Sequence, residues 1–328
     1  MQAPVTDPIR RRLLLAGALA PLAAAAPLAS AAPGAGARAL PPPPAGLAAG
    51  ATAEQATAGL DLRGRTVLVT GCNSGIGLET MRVLALRGAH VIGTARTPEK
   101  GREACAGVRG LATPVVLDLA DFASVRACAA QVRRLAPRLD ALVCNAGIVL
   151  DDWQRVDGLE KQFVVNHLGH FLLVERLLDP VVAARGRVVV LGSGDHRNAP
   201  PGGIQFGRLS GEGWYPKGYA HSKLANGLFS LELARRLRGT GATSNCVTPG
   251  HTRTAILRNA GNDYRDDART PAQGAATPCY AAVHPAMAGV SGRYLRDFAA
   301  AEQSAQQQDA AMAARLWRVS GELAGVEG

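Results

Sequence analysis

A tyrosine and a lysine four residues apart form the pair in this sequence best suited to proton transfer. Tyr219 and Lys223 lie in the segment Tyr219-Ala-His-Ser-Lys223, and residues four apart share one face of a helix. An unperturbed tyrosine titrates at about 10, and a nearby cation favours its phenolate. Such a tyrosine could give a proton to a carbonyl oxygen, or take one from an alcohol, near neutral pH. Because this spacing also arises by chance on many helices, the interpretation depends on what surrounds the pair.

A glycine-rich turn earlier in the chain predicts a nucleotide site. Gly71, Gly75 and Gly77 lie between a predicted strand, residues 65–70, and a predicted helix, residues 78–87. Glycines at such a turn let backbone N–H groups approach a pyrophosphate at the positive end of the helix. The spacing is G-x-x-x-G-x-G rather than the commoner G-x-G-x-x-G, and a tight turn without a ligand is the alternative.

The end of the second predicted strand favours NADP(H) over NAD(H). An acidic residue at this position binds the ribose 2′-hydroxyl of NAD, whereas this chain has Thr94-Ala95-Arg96. The planar guanidinium of Arg96 could pair with a 2′-phosphate. A solvated surface arginine is the alternative.

Short β-branched segments that alternate with helical segments predict a Rossmann-type doubly wound parallel α/β sheet of about seven strands, with helices on both faces. The predicted strands are residues 65–70, 90–94, 114–117, 141–144, 187–191, 243–247 and 289–295, and the helices are 78–87, 122–135, 162–178 and 219–237. Ligands of such sheets bind at the carboxyl ends of the strands. The rule gathers the following groups around one crevice: the glycine loop, Arg96, Asp118, Asn145, Ser193 and the Pro249 region.

Composition excludes several classes of protein. The 328 residues are 47% hydrophobic and 19% charged, which excludes a disordered polar chain. The net charge is +10, but the arginines are scattered apart from Arg10-Arg11-Arg12. A nucleic-acid surface more often shows a basic stripe with aromatic residues, so no nucleic-acid partner is predicted. None of the six cysteines forms a C-x-x-C pair, which argues against a zinc site; we expect mostly free thiols and no metal.

The first 60 residues predict a signal and a linker. Residues 1–31 combine the arginine cluster with a weakly apolar stretch and a small-residue cleavage site at Ala29-Ser30-Ala31, which resembles the twin-arginine signal. We therefore expect a periplasmic or exported protein with no stable membrane span after processing, since Pro21 and Pro27 break the apolar stretch. A cytoplasmic or membrane-anchored protein is the alternative. Residues 32–60 predict a flexible Ala/Pro/Gly-rich linker, and residues 61–328 the folded domain.

Taken together, these motifs resemble the short-chain dehydrogenase/reductase family over roughly residues 62–324. The segments that carry the resemblance are residues 70–77, Asn145-Ala-Gly147, Tyr219-x-x-x-Lys223 and Pro249-Gly250. Residues 165–173, 219–226 and 316–320 further resemble the branch of retinol dehydrogenases and the WW-domain oxidoreductase.

The resemblance implies a catalytic set of Asn166, Ser193, Tyr219 and Lys223. Ser193 would hydrogen-bond the substrate oxygen, and Tyr219 would move the proton. Asn166 would hold a water in a relay to Lys223, which would also hold the nicotinamide ribose. The family usually has two serines after the fifth strand, whereas this chain has Gly192-Ser193-Gly194, so only the second serine is present.

The glycine loop and the resemblance together give a cofactor site. Asn145, Ala146 and Gly147 would line the adenosine side, Asp118 would meet the adenine next to Leu119, and the Pro249 region would close over the nicotinamide. The expected cofactor-binding residues are Gly71, Asn73, Ser74, Gly75, Ile76, Gly77, Arg96, Asp118, Leu119, Asn145, Ala146, Gly147, Tyr219, Lys223, Pro249, Gly250 and Thr252.

The implied reaction is hydride transfer between NADP(H) and a carbonyl or alcohol of a lipophilic small molecule, such as a retinoid- or steroid-like compound. Loops 196–218 and 251–278 should cover the pocket with Ile204, Phe206, Trp214, Tyr215, Ile256, Leu257 and Tyr264. A reductase of activated C=C bonds, like protochlorophyllide reductase, and a catalytically silent NADP(H)-binding module are the alternatives. The family also implies a homo-oligomer, a dimer or tetramer formed through the helices that include the Tyr219 segment.

Overall fold

The structure is a computed structural model that describes residues 38–258 and 266–326. The predicted export signal, residues 1–31, lies outside the described residues. Within the described ranges, no helix combines the length and the apolar character needed to cross a membrane.

A central sheet organises the fold. In the described residues it has eight strands in the order β10-β9-β8-β7-β4-β1-β2-β3, and a separate hairpin pairs β5 with β6. The strands are β1 (Thr66–Val69), β2 (His90–Ala95), β3 (Ala112–Val116), β4 (Ala141–Cys144), β5 (Arg155–Val156), β6 (Leu159–Glu160), β7 (Arg187–Leu191), β8 (Thr243–Val247), β9 (Tyr294–Arg296) and β10 (Ala299–Ala300). All neighbours from β9 to β3 are parallel, which confirms the predicted doubly wound sheet.

The extra strand comes from a hairpin at one edge of the sheet. β10 runs antiparallel to β9, and the two residues between them, Asp297 and Phe298, both have positive φ (50° and 68°). Such a turn usually shows Asn-Gly or Asp-Gly in the sequence. Asp-Phe carries no such signal, so this turn could not be predicted from the sequence.

Helices cover both faces of the sheet. They are α1 (Ala53–Ala56), α2 (Gly75–Leu86), α3 (Pro98–Ala106), α4 (Phe122–Leu135), α5 (Lys161–Phe163), α6 (Gly169–Ala184), α7 (Gly218–Arg236), α8 (Ala255–Arg258), α9 (Pro271–Gly274), α10 (Ala276–Val283) and α11 (Ala310–Ala324). Strand side chains alternate between the faces. Leu68 packs in a core with α4, α6 and α7, whereas its neighbours Val67 and Val69 pack in a second core with α2 and α10. Five of the six cysteines are buried, and all six carry free thiols.

Part of the predicted linker is folded. α1 begins after Thr52, whose side chain forms a reciprocal capping box with Gln55. Ala53 and Ala56 are buried in the second core. The folded domain therefore includes residues 52–56, which the sequence had assigned to the linker. The prediction missed them because a helix of four residues is too short to show a helical period.

The long helix predicted at residues 162–178 is interrupted. A π-helical turn, Val164–Leu168, separates α5 from α6. Such turns are rare and often lie at functional sites, and this one contains Asn166.

α11 covers the helix that carries Tyr219. Trp317 of α11 packs edge-on against Phe171 of α6 (centroid distance 5.1 Å) and stacks on Phe229 of α7 (5.7 Å). The guanidinium of Arg236 lies 4.4 Å from the Trp317 ring centroid. This part of α7 is therefore occupied by the chain's own C-terminal helix.

Candidate active site

The glycine loop leaves no room for side chains at two of its positions. Gly71 has φ +72°, and a Cβ there would lie 2.9 Å from the Cβ of Ala146. A Cβ on Gly77 would run into the carbonyl oxygen of Gly71 and the amide of Asn145. α2 begins at Gly75, and in the described structure the preceding Ser74 makes no side-chain capping bond. The Ser74 side chain therefore does not bond the N–H groups in the first turn of α2. These groups lie at the glycine loop, as they do at a helix N-terminus that binds an anion.

Asn145 and Ala146 are held against this loop by Thr70, a residue that the sequence analysis did not assign to the site. The Thr70 hydroxyl oxygen accepts the backbone N–H groups of Asn145 and Ala146, each at 2.9 Å. The Asn145 side chain in turn donates to the Thr70 carbonyl at 2.8 Å. Asn145 thus bridges the ends of β1 and β4.

A buried histidine, also missed, connects this region to the π turn. His170 Nδ1 lies 3.1 Å from the Asn166 carbonyl oxygen, and His170 Nε2 lies 2.9 Å from the Thr70 hydroxyl. A carbonyl only accepts, so Nδ1 donates and Nε2 accepts from the hydroxyl. Burial lowers the pKa of His170 to about 4, which is consistent with a neutral ring. The contact spans 100 residues, too far for a local sequence pattern.

Asn166 connects the segment after β4 to the helix that carries Tyr219. Its side-chain nitrogen donates to the Ile148 carbonyl (3.0 Å) and to the Ser222 hydroxyl (2.9 Å), and its oxygen accepts the Ile148 N–H (2.8 Å). A Cβ on Gly147 would lie 3.2 Å from Asn166 Oδ1 and 3.7 Å from Lys223 Nζ. The structure therefore brings Asn166, Gly147 and Lys223 together.

Lys223 is buried beside Tyr219. Its side chain is on α7, and the residue is 4% exposed. The ammonium donates to the Leu191 carbonyl at 3.1 Å and lies 5.5 Å from the Tyr219 ring centroid. Asn226, one turn further along α7, donates to the same carbonyl at 3.0 Å. Burial lowers the pKa of Lys223 to about 8.

The Tyr219 phenol contacts Ser193. Burial raises the pKa of Tyr219 to about 12, and the hydrogen bond with Ser193 opposes this rise. The direction is opposite to the expectation from the sequence, because loss of solvation around the phenolate outweighs the favourable contacts. The phenol is therefore protonated at neutral pH.

Ser193 is separated from the end of β7 by Gly192 and precedes a 3-10 turn, Gly194–Asn198, where its hydroxyl accepts the Asp195 N–H at 3.2 Å. The residue before it explains the departure from the two-serine pattern. A Cβ on Gly192 would lie 2.6 Å from Cys246 Sγ and 3.3 Å from Tyr294 Cε2. Those two side chains occupy the space that another serine would need.

The Pro249 region closes against the glycine loop. Thr252, which is buried, donates to the Gly250 carbonyl at 3.2 Å. A Cβ on Gly75 would lie 3.0 Å from Thr254 Cγ2, so this segment packs directly on the start of α2. The Arg269 guanidinium also stabilises the segment, because it donates to the Pro249 carbonyl at 3.4 Å.

The remaining expected cofactor residues follow β1, β2 and β3. Arg96 is exposed directly after β2 and has no ion-pair partner among the described residues. Asp118 accepts the Ala120 N–H at 2.9 Å after β3, and Leu119 is buried. Asn73, Ser74 and Ile76 lie in the glycine loop and the first turn of α2. All of them lie at the carboxyl ends of the strands, as predicted.

The expected apolar lining of the substrate loops needs correction. Ile204 and Trp214 are buried; Ile204 packs in a cluster with Phe163 and Leu224, and the Trp214 ring lies 4.2 Å from that of His221. Both residues support the loop instead of facing a pocket.

Other residues of this expected lining differ in exposure. Tyr215 is half-buried and stacks on Trp153, which is 45% exposed. Phe206 lies under the Arg315 guanidinium (4.2 Å), and Ile256 is half-buried. The side chain of Leu257 and all of Tyr264 lie outside the described residues.

A parallel sheet with a glycine loop after its first strand, and a Tyr–Lys–Ser–Asn cluster at the same edge, define a nicotinamide-dependent oxidoreductase of Rossmann type. A sequence model of the family described as short chain dehydrogenase matches residues 65–265. The chain belongs to this family.

Relatives with assigned names support the same class. Human retinol dehydrogenase 14 is 38% identical over 297 residues, which cover 81% of this chain and 88% of that protein. The human WW domain-containing oxidoreductase is 38% identical over 293 residues, covering 83% of this chain and 71% of that protein.

Solved structures agree in fold. An uncharacterized protein from Mycobacterium paratuberculosis superposes with a TM-score of 0.67 at 33% identity, over 83% of this chain and 97% of that one. A protein assigned as an NAD(P)-dependent gluconate 5-dehydrogenase from Beutenbergia cavernae, with NADP bound at low occupancy, has a TM-score of 0.57 at 28% identity, over 72% of this chain and 95% of that one. Nicotinamide-dependent oxidoreduction is thus the activity class of this chain.

Proposed function

We propose that the protein is an NADPH-dependent reductase of a carbonyl group on a lipophilic small molecule, with Tyr219 as the proton donor. The observation that carries this proposal is the Tyr219 side chain, whose phenol lies beside Ser193 and whose ring centroid lies 5.5 Å from the Lys223 ammonium. With a pKa raised to about 12, the phenol carries its proton at neutral pH, which is the state needed to protonate the oxygen of a carbonyl substrate.

The residues of the crevice fit a dinucleotide. Gly71 and Gly77 allow close approach to the backbone, and α2 offers its N-terminal N–H groups. Arg96 is exposed beside this loop and available to a 2′-phosphate. When bound, the reduced cofactor supplies the hydride.

The chain's own residues would polarise the substrate and deliver the proton. The Ser193 hydroxyl and the Tyr219 phenol would both donate to the carbonyl oxygen and stabilise the negative charge that develops on it. Tyr219 would then transfer its proton to that oxygen. The Lys223 ammonium would favour the resulting phenolate, and Asn166 would hold the 147–148 loop and Ser222 in place around it.

The substrate class comes from the relatives. Proteins named retinol dehydrogenase 11, 12 and 14 are each 38% identical over 81–82% of this chain, which supports a lipophilic aldehyde or ketone. The half-buried Tyr215 against the exposed Trp153 offers aromatic surface just before Tyr219.

Cofactor binding tests the proposal before any substrate is known. We would titrate the full chain with NADPH and NADH by fluorescence, using wild type, Arg96→Ala and Arg134→Ala. Arg134 is an exposed arginine in the last turn of α4. Its substitution removes the same charge but lies far from the carboxyl ends of the strands, and it therefore serves as the control. Loss of a charge-assisted contact should weaken NADPH binding by about tenfold in Arg96→Ala only, with NADH affected little.

Equal binding of NADH and NADPH by wild type would contradict the choice of cofactor while leaving the reductase class intact. Failure of the folded protein to bind either one would contradict the proposed function itself.

Two further proposals concern the state of the protein. Export by the twin-arginine-like signal is tested by N-terminal sequencing of the protein from periplasmic and cytosolic fractions. Homo-oligomer formation is tested by light scattering; because α11 covers part of α7, a second copy would have to use surface that α11 leaves free.

A further inference from the structure

His196 lies between the Ser193 turn and the segment that leads to α11. The residue is fully buried. Its Nδ1 lies 2.7 Å from the Ser193 carbonyl oxygen, and its Nε2 accepts the Ser304 backbone N–H at 3.2 Å. The ring also packs edge-on against Tyr294, with a centroid distance of 5.4 Å and an interplanar angle of 79°. Three parts of the chain therefore meet at this imidazole.

The chemistry of the partners fixes the state of the ring. The Ser193 carbonyl can only accept, so Nδ1 carries a proton; the Ser304 N–H can only donate, so Nε2 carries none. His196 is therefore the neutral Nδ1–H tautomer. Burial lowers the pKa of His196 from its ordinary value, in agreement with this state.

The Ser193 turn needs such a support. Ser193 lies between Gly192 and Gly194, and glycine restricts the backbone least. The Ser193 carbonyl accepts the backbone N–H of His196 as well, at 3.2 Å. The imidazole adds a second hydrogen bond to the same carbonyl, and this bond comes from a side chain instead of the backbone of the turn.

The Ser304 contact extends the support to the helix that carries Tyr219. The backbone of Gln307 donates to the Ser304 carbonyl at 3.1 Å. The Gln307 side chain packs directly on α7, where a Cβ on Gly227 would lie 2.6 Å from Gln307 Cγ. The 304–307 segment therefore contacts both parts of the site. Ser304 is linked to Ser193 through His196, and Gln307 packs directly on α7.

We propose that His196 is a positioning residue: its Nδ1–H holds the Ser193 carbonyl, and with it the Ser193 hydroxyl at the Tyr219 phenol, while its Nε2 couples the ring to the 304–307 segment. The inference rests on the proposed function for its catalytic consequence, but the coupling itself is a property of the chain.

Two substitutions separate the two ring nitrogens. The side-chain amide of asparagine reaches the position of Nδ1, and that of glutamine reaches the position of Nε2. His196→Asn therefore keeps a donor for the Ser193 carbonyl, whereas His196→Gln keeps an acceptor for the Ser304 N–H. The two variants serve as matched controls for each other, and thermal melts and NADPH titration establish that both are folded.

Turnover measures the catalytic consequence. Misplacement of a reacting group costs about tenfold to a hundredfold in rate, so we expect His196→Gln to lose that factor in kcat with KM and NADPH affinity nearly unchanged. His196→Asn should keep most of the wild-type kcat.

Amide hydrogen exchange measures the coupling without turnover. We expect His196→Gln to speed exchange in residues 193–196 and to leave the Ser304 amide protected. His196→Asn should show the reverse pattern.

Equal losses of kcat in both variants, or the same exchange changes in both, would show that His196 only fills space and would overturn the proposal. Wild-type kcat in His196→Gln would overturn it as well. If wild type turns over no carbonyl substrate, the proposed function fails, and the exchange pattern alone still decides whether His196 couples the two segments.

Discussion

The two ends of the crevice are built in different ways. The glycine loop is shaped by the absence of side chains, since Gly71 and Gly77 let β1, α2 and Asn145 approach within contact distance. The catalytic end is shaped by buried polar side chains, among them Asn166, His196 and Lys223, which hydrogen-bond to backbone groups of other segments. The first kind of site tolerates no added atom, whereas the second depends on the chemistry of each partner.

The largest expected effect comes from adding one methyl group at the glycine-loop end. Gly77→Ala would place a Cβ against the Gly71 carbonyl and the Asn145 amide, and overpacking of this kind costs about 1–3 kcal/mol. Because the loop must shift, we expect NADPH binding to fall below detection in the fluorescence titration, with a lower melting temperature.

Gly207→Ala is the matched control, because no described atom lies within 4 Å of a Cβ at that position. Full NADPH affinity in Gly77→Ala would show that the close packing of the loop is not what forms the cofactor site.

A methyl group added at Gly192, at the catalytic end, should lower stability and turnover, and a second substitution at Cys246 should restore both. Gly192→Ala places a Cβ 2.6 Å from Cys246 Sγ, at a cost of about 1–3 kcal/mol in the free energy of unfolding. In Gly192→Ala/Cys246→Ala the sulfur is gone, so stability and turnover should recover relative to Gly192→Ala. Denaturant unfolding and kcat measure both effects. A double variant no better than the sum of the two single variants would contradict this account of Gly192.

The smallest effect is a change with pH. Burial lowers the pKa of Lys223 to about 8, so the ammonium loses its proton as the pH rises through that value. We expect kcat/KM for carbonyl reduction, which reports the free enzyme, to be level below pH 8 and to fall above it. Lys100→Gln, which removes an exposed lysine on α3, should keep the same profile. A level profile to pH 10 would count against a role for the Lys223 charge.

The same contrast explains what the sequence could predict. Glycine spacing and hydrophobic patterns are local, so the loop and the bounds of α4, β4, β7 and β8 were predicted as the structure has them. The helices α3, α10 and α11 were not predicted. Tyr219 and Lys223 are one helical turn apart, and their proximity was predicted from this spacing.

What the sequence did not predict depends on contacts between distant segments. His170 meets Thr70 across 100 residues, and His196 meets Ser304 across 108. The burial of Ile204 and Trp214 also depends on tertiary packing, so their apolar character was interpreted as pocket lining. The pKa of Tyr219 depends on burial in the same way, which is why its direction was wrong.

The most direct test of the central claim follows the hydride and the proton together. NADPH carrying deuterium at C4 would be incubated with the full chain and a panel of lipophilic aldehydes and ketones, with Tyr219→Phe alongside. We predict deuterium on the former carbonyl carbon of an alcohol product, and a rate at least about a hundredfold lower in Tyr219→Phe, with NADPH binding retained. Deuterium on a carbon of a saturated C=C bond, no transfer to any substrate, or equal rates for the two proteins would contradict the account.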